Sequence, residues 1–105
     1  MRPGIRGVVW VHKEDFEDAR ALMRRLTYDY ISRKVFPVLH KESKDRMILA
    51  FDNGDYWQTR FPTDGSRACY SNISYIHHNI TEKNLINEII KPATHLRPYN
   101  AIQYF

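Results

Sequence analysis

Apolar positions fall along this chain in blocks whose spacing changes from one segment to the next. Gly7-Val8-Val9-Trp10-Val11 is an unbroken run, β-branched and aromatic, bounded by Arg6 and His12. That pattern predicts a short central strand. Lys13-Glu14-Asp15 then sets acids where a helix begins, and Phe16, Ala19, Leu22, Met23, Leu26 and Tyr30 recur at three- and four-residue spacing on one face. This is the strongest helical period in the chain. Arg20, Arg24 and Arg25 fall largely on its other side, with Glu17 placed to meet Arg20 or Arg24 one turn away.

Val35-Phe36-Pro37-Val38-Leu39 is apolar again, but its central proline removes a backbone donor, so it reads as an edge strand or extended loop. Met47 to Phe51 and Tyr56 to Phe61 flank Asp52-Asn53-Gly54-Asp55, where Asn-Gly tolerates the positive φ of a tight turn. A hairpin is predicted there. Pro62-Thr63-Asp64-Gly65-Ser66 is a second break, after which Ile73, Tyr75 and Ile76 mark another strand. Thr81 is a good N-cap for a helix whose stripe is Leu85, Ile86, Ile89 and Ile90, with Pro92 as its stop. The tail carries Leu96, Tyr99, Ile102, Tyr104 and Phe105, enough apolar surface to pack back on the domain or on a partner. These elements predict a single α/β domain over 1–105, with α+β as the alternative: a mixed sheet, a central hairpin and two main helices.

Composition agrees with an independently folding domain. The 105 residues are 43% apolar, with seven Tyr, five Phe and two Trp, which is too rich in packing residues for a disordered chain. The net charge of +4 permits a polyanionic partner without demanding one. Met1 to Arg46 holds eleven basic and seven acidic residues, whereas the remainder holds five of each, so the whole excess lies in the first half. One cysteine, Cys69, excludes an internal disulfide and a cysteine-rich zinc site, and with no signal-like or membrane-spanning run the expected setting is cytoplasmic.

In the order and texture of its segments the chain resembles the ATPase core of phage large terminases and related nucleic-acid translocases. GVVWVHKEDFEDARALMRRL, ILAFDNGDYWQTRF, SRACY, NISYIHH and NEIIKP stand where that family has a strand and helix, a strand with an Asn-Gly-type turn, a Ser-x-Arg-Gly-like loop, a strand closed by paired acids, and a further helix with its proline. The departures carry the functional reading. No G-x-x-x-x-G-K-[ST] phosphate loop occurs, and His77-His78 occupies the place of the paired acids that hold magnesium and water. The resemblance therefore implies a degenerate fragment of that core, from a phage or mobile element, that keeps a scaffold for binding and has no ATPase chemistry.

Other chemistry finds little support in the sequence. Adjacent strand residues face opposite ways, so His77 and His78 cannot both hold one metal without a bend, and His12, His40 and His95 have no ligand-like spacing. Cys69, Ser66 or Ser71 can be paired with a histidine, but no G-x-S-x-G elbow frames a nucleophile. Asp52, Asp55 and Asp64 with His77 form the alternative, a small metal-dependent nuclease or hydrolase. The leading expectation is a non-enzymatic protein, without cofactor or metal, that blocks or organises a protein or nucleoprotein complex, an anti-defence inhibitor being one such role. Its expected binding residues are Arg20, Arg24, Arg25, Trp57, Arg60, Arg67 and Tyr70, which mix guanidinium groups with aromatic planes. Nucleic acid is a further candidate partner, and a homodimer through a strand edge or the aromatic C-terminal tail is another.

Overall fold

The computed structural model describes residues 4–63, 70–94 and 101–105. The first apolar run forms β1 (Arg6–Trp10), and a 3-10 turn over Lys13–Asp15 leads into α1 (Phe16–Ser32). β2 (Pro37–Glu42), β3 (Met47–Phe51) and β4 (Tyr56–Arg60) follow as an antiparallel meander. β5 (Ile73–Ile76), a helix α2 over 83–93 and β6 (Ala101–Tyr104) complete the order. The strands make one sheet in the order β2-β3-β4-β1-β5-β6. β1 pairs in parallel with β4 on one side and β5 on the other, and β5 pairs in parallel with β6. A mixed sheet with a central hairpin and two helices is the α/β architecture expected.

The sheet is covered on both faces because β1 alternates between two cores. Val9 and Val11 join Met47, Leu49, Phe51 and Trp57 under the Phe16, Ala19, Met23 and Tyr30 face of α1. Val8 and Trp10 point the other way, onto Ile76, Ile80, Ile89, Ile90 and Ala93 below α2. Two clusters of polar side chains inside these layers are paired. Trp10 Nε1–H donates to Ser74 Oγ at 3.0 Å, and Ser74 Oγ lies 2.6 Å from Thr94 Oγ1 and 3.2 Å from Ser71 Oγ. Tyr30 O–H donates to Asp55 Oδ2 at 2.6 Å and accepts Trp57 Nε1–H at 3.0 Å, while Asp55 Oδ1 accepts the Ile5 amide at 2.8 Å. That chain locks the end of α1 to the turn before β4. Burial, reinforced by the Asp55 hydrogen bond, pushes the Tyr30 hydroxyl up to about 12.

Two local features depart from the sequence expectations, and the end of α1 adds one on which the pattern is silent. Glu82, rather than Thr81, occupies the N-cap position of α2, without a side-chain cap bond. Pro92 does not stop α2: the helix widens into a π turn over Ile86–Ile90 and continues through Lys91–Ala93. The wider turn sits where a proline ring would otherwise press on the carbonyl four residues back. At the end of α1, Val35 N–H donates to Tyr30 O and Lys34 N–H to Ile31 O, a Schellman motif closed by Lys34 at φ 65°. A lysine holds the left-handed position that glycine usually fills. The tail does pack back, as β6 beside β5, with Ile102 on the α2 side and Phe105 on the α1 side; Leu96 and Tyr99 lie outside the described residues.

Two stability outcomes follow. Lys34→Gly removes the left-handed penalty and is expected to raise stability by about 0.5–1 kcal/mol in denaturant unfolding. Tyr30→Phe leaves the Trp57 indole N–H without its acceptor and Asp55 Oδ2 with only the longer Asn53 bond, and is expected to cost about 1–3 kcal/mol. Because the folded tyrosine ionises later than the unfolded one, its contribution is complete below about pH 10 and is lost as pH rises towards 12. Unfolding curves measured across that window should show the loss in the parent and a smaller one in Tyr30→Phe.

Candidate functional site

Two regions concentrate polar chemistry, and the chain direction separates them. From β1 the chain leaves through α1 towards β2 at one edge; from its neighbour β5 it leaves through α2 towards β6 at the other. The crevice between the carboxyl ends of β1 and β5 is therefore a topological switch point, the place where open α/β sheets hold ligands. His12, Asp15 and Asp18 reach it from the β1 side, and His77, His78, Asn79 and Glu82 from the β5 side.

His77 is the centre of this corner and is 1% exposed. Its Nδ1 accepts the Asn79 amide N–H at 3.1 Å, which leaves the ring proton on Nε2, donated to Asp18 Oδ2 at 2.8 Å. Asp15 Oδ2 stands 3.7 Å from Nδ1, and Asp15 Oδ1 accepts Asn79 Nδ2–H at 3.1 Å. His78 stacks on His77 with ring centres 4.2 Å apart and donates Nδ1–H to the Phe105 carbonyl at 2.9 Å, while the Phe105 ring meets His77 edge-on at 5.2 Å. The pair follows the end of β5, so strand alternation does not separate the two rings. Nearby, His12 Nε2 and Glu82 Oε2 are 3.0 Å apart.

With both ring nitrogens engaged, His77 has no lone pair facing a substrate. Ser71 is buried before β5, at the opposite end of the strand, and bonds Ser74, so the Ser71–His77 pairing is not assembled. The nuclease constellation is not assembled either. Asp55 lies before β4 and His77 after the parallel β5, at opposite ends of the sheet, and Asp55 is taken up by Ile5, Tyr30 and Asn53. Asp52 is exposed in the hairpin turn; Asp64, Ser66 and Cys69 fall outside the described residues.

The second region is the outer edge of the sheet. All six residues of β2 are exposed. β2 itself carries exposed Val38 (67%) and Leu39, and beside it stand Tyr28 (72% exposed) and Ile31 from the end of α1 and Phe36 from the following loop. A cleft of about 270 Å³ between α1 and the β2–β3 hairpin is lined by Arg24, Thr27, Tyr28, His40 and Met47. Residues 24–46 contain seven Lys and Arg against three Asp and Glu, so this segment alone carries an excess equal to the +4 of the whole chain.

The expected binding residues do not form one surface. Trp57 is 3% exposed and belongs to the core under α1, so it presents no ring to a partner; its strand neighbour Tyr56 is half-buried on the opposite face. Arg20 bridges elements: it meets Glu42 at 3.1 Å and Glu17 at 3.7 Å, donates to the Ser43 carbonyl at 2.6 Å, and lies over the Phe16 ring at 4.9 Å. Glu42 is held below the usual carboxylate range, first by its hydrogen bond from His40 and then by Arg20 and Arg24. Arg24 and Arg25 are exposed on α1. Arg60 ends β4, its Nε buried with no hydrogen-bond partner among the described residues, whereas exposed Tyr70 precedes β5 at the other end of the sheet. Arg67 lies outside the described residues. The sequence reading missed Asp15 and Asp18 as neighbours of His77, because residues 59 apart in a pair leave no local spacing to detect.

No helix among the described residues is long and apolar enough to cross a membrane. No protein-family model, curated protein or solved structure matches the chain.

Arg20→Ala removes the tie between α1 and the β2–β3 hairpin and is expected to lower unfolding free energy by about 1–2 kcal/mol. Arg24→Ala and Arg25→Ala should stay within about 0.5 kcal/mol of the parent. Equal effects in denaturant titrations of the three variants would contradict this division between a structural and two surface arginines.

Proposed function

We propose that this protein is a non-enzymatic binding protein that blocks or organises a protein or nucleoprotein complex, and that its partner contributes an acidic, extended segment which adds to the open edge of β2. The observation that carries this reading is the coincidence, in one stretch of chain, of a fully exposed edge strand, a row of exposed apolar side chains and the whole net positive charge. Edge strands offer unpaired backbone groups that a second strand can satisfy, with side-chain contacts supplying specificity. Pro37 and the irregular register between Pro37 and Leu39 blunt the first residues of β2, but His40, Lys41 and Glu42 pair regularly with Leu49, Ile48 and Met47 and leave their outer side open. Val38, Leu39 and Tyr28 then supply apolar contact, and Arg24, Arg25, Arg33, Lys34 and Lys41 favour carboxylates.

A phage or mobile-element setting, with inhibition of a defence complex as one role, rests on the terminase resemblance. Among the described residues no constellation is assembled for the nuclease alternative, Asp55 and His77 lying at opposite ends of the sheet.

Anisotropy of a labelled acidic, strand-forming peptide and of labelled single- and double-stranded DNA, each at two salt concentrations, tests the reading. Peptide binding that weakens at least ten-fold in Val38→Asp and in Arg24→Glu/Arg25→Glu/Lys41→Glu, with folding intact, is the expected result. Binding of DNA alone with a steep salt slope would transfer the surface to phosphate contacts, since each releases counterions. Absence of peptide binding at low salt, with the protein monomeric by sedimentation, would overturn the edge-strand assignment.

A further inference from the structure

We propose that Asp15, Asp18 and His77 form a binding site for a first-row divalent transition-metal ion of the Mn2+ to Zn2+ series at the carboxyl ends of β1 and β5. One ligand atom from each residue falls in a group whose members all lie within 4.8 Å of one another. One imidazole nitrogen with two carboxylates suits these borderline ions, better than Mg2+ or Ca2+, which prefer all-oxygen shells. Three protein ligands also leave coordination positions open to water or to a partner's acid.

The location points to a ligand independently of the side chains. The cluster occupies the switch-point crevice, where the two chain directions part and no crossover helix can cover the strand ends. Two carboxylates there repel an anion, so a cation is the ligand that fits. His77 is held for the task by burial, by the stacked His78 ring and by the edge of Phe105, so little rotational freedom is lost on binding.

In the metal-free arrangement a proton lies between His77 Nε2 and Asp18 Oδ2, 2.8 Å apart. The ion takes that proton's place. Nε2 and Asp18 become ligands, and the ring keeps a single proton by carrying it on Nδ1, which Asp15 Oδ2 already faces at 3.7 Å. Asp15 turns one carboxylate oxygen to the ion as the third ligand. The Asn79 N–H, which donates to Nδ1 at 3.1 Å without the ion, must turn away from the new Nδ1–H. Binding therefore switches the His77 tautomer, a signature that nonspecific metal adsorption does not produce.

Thermal unfolding and calorimetric titration of the full chain with Zn2+, Co2+, Mn2+ and Mg2+ test the site, with long-range nitrogen–proton NMR following the His77 ring. The expected result is a rise in Tm of about 5 °C or more at saturating Zn2+ or Co2+, little response to Mg2+, and transfer of the ring proton from Nε2 to Nδ1. Because His77 is buried and His77→Gln can fail to fold, Asp18→Asn at a 61% exposed carboxylate is the main variant. It should keep the metal-free Tm within about 2 °C and lose at least ten-fold in affinity. His12→Ala and His40→Ala, which break the exposed His12–Glu82 and His40–Glu42 pairs, should retain the response. No Tm rise in the parent, a rise that survives both Asp15→Asn and Asp18→Asn, or a response lost with His12 or His40 would each overturn the proposal.

Discussion

Strand β1 has no face to give to water, and the architecture is the solution to that constraint. Val9 and Val11 need a cover on one side, Val8 and Trp10 on the other. A helix on each face supplies both, and the backbone groups of β1 are satisfied by parallel partners at either hand, β4 and β5. Parallel pairing requires crossovers, and α1 and α2 serve as crossovers and covers at once. Since they depart in opposite directions, the carboxyl ends of β1 and β5 are left as an uncovered crevice. The polar corner around His77 is thus a consequence of burying one strand twice.

Polar contacts then decide how firmly the layers are held. Tyr30, Asp55 and Trp57 join the last turns of α1 to the sheet through hydrogen bonds in which each buried group finds a partner, and Ser71, Ser74, Thr94 and Trp10 do the same below α2. Such pairing matters because an unpaired buried donor costs more than a paired one contributes. Arg20 fastens the first turns of α1 to the β2–β3 hairpin in the same manner. What these ties leave unfastened is the outer edge, where β2 has lost the cover that α1 gives to β3 and β4. Tied and open positions therefore separate along one helix, with Arg20 fastened to the hairpin and Arg24 and Arg25 exposed.

Much of the fold was legible because its signals are local. The unbroken run at Gly7–Val11, the period from Phe16 to Tyr30 and the Asn-Gly turn each report the environment of a few neighbouring residues, and each appears where the pattern placed it. Signals that depend on distant atoms misled or were absent. Pro92 looked like a stop, but a π turn absorbs it. Thr81 looked like a cap, but the N-cap position falls one residue later, on Glu82, and the helix begins at Lys83. Lys34 gave no sign of ending α1, because a left-handed lysine is set by the chain's need to turn into β2 and not by its own preference.

By itself the sequence determined the class of the domain, the strand that must be central, the helix that covers it, and where the net charge lies. Tertiary structure alone decided which of Tyr56 and Trp57 turns inward, that Asp55 is a structural carboxylate, and that Asp15 and Asp18 meet His77. The division has a physical origin. Hydrophobic period and turn chemistry are properties of short segments, whereas a side chain's partners at a sheet end depend on the direction each strand runs and on which strands become neighbours. Those are settled only when all the apolar faces are buried together.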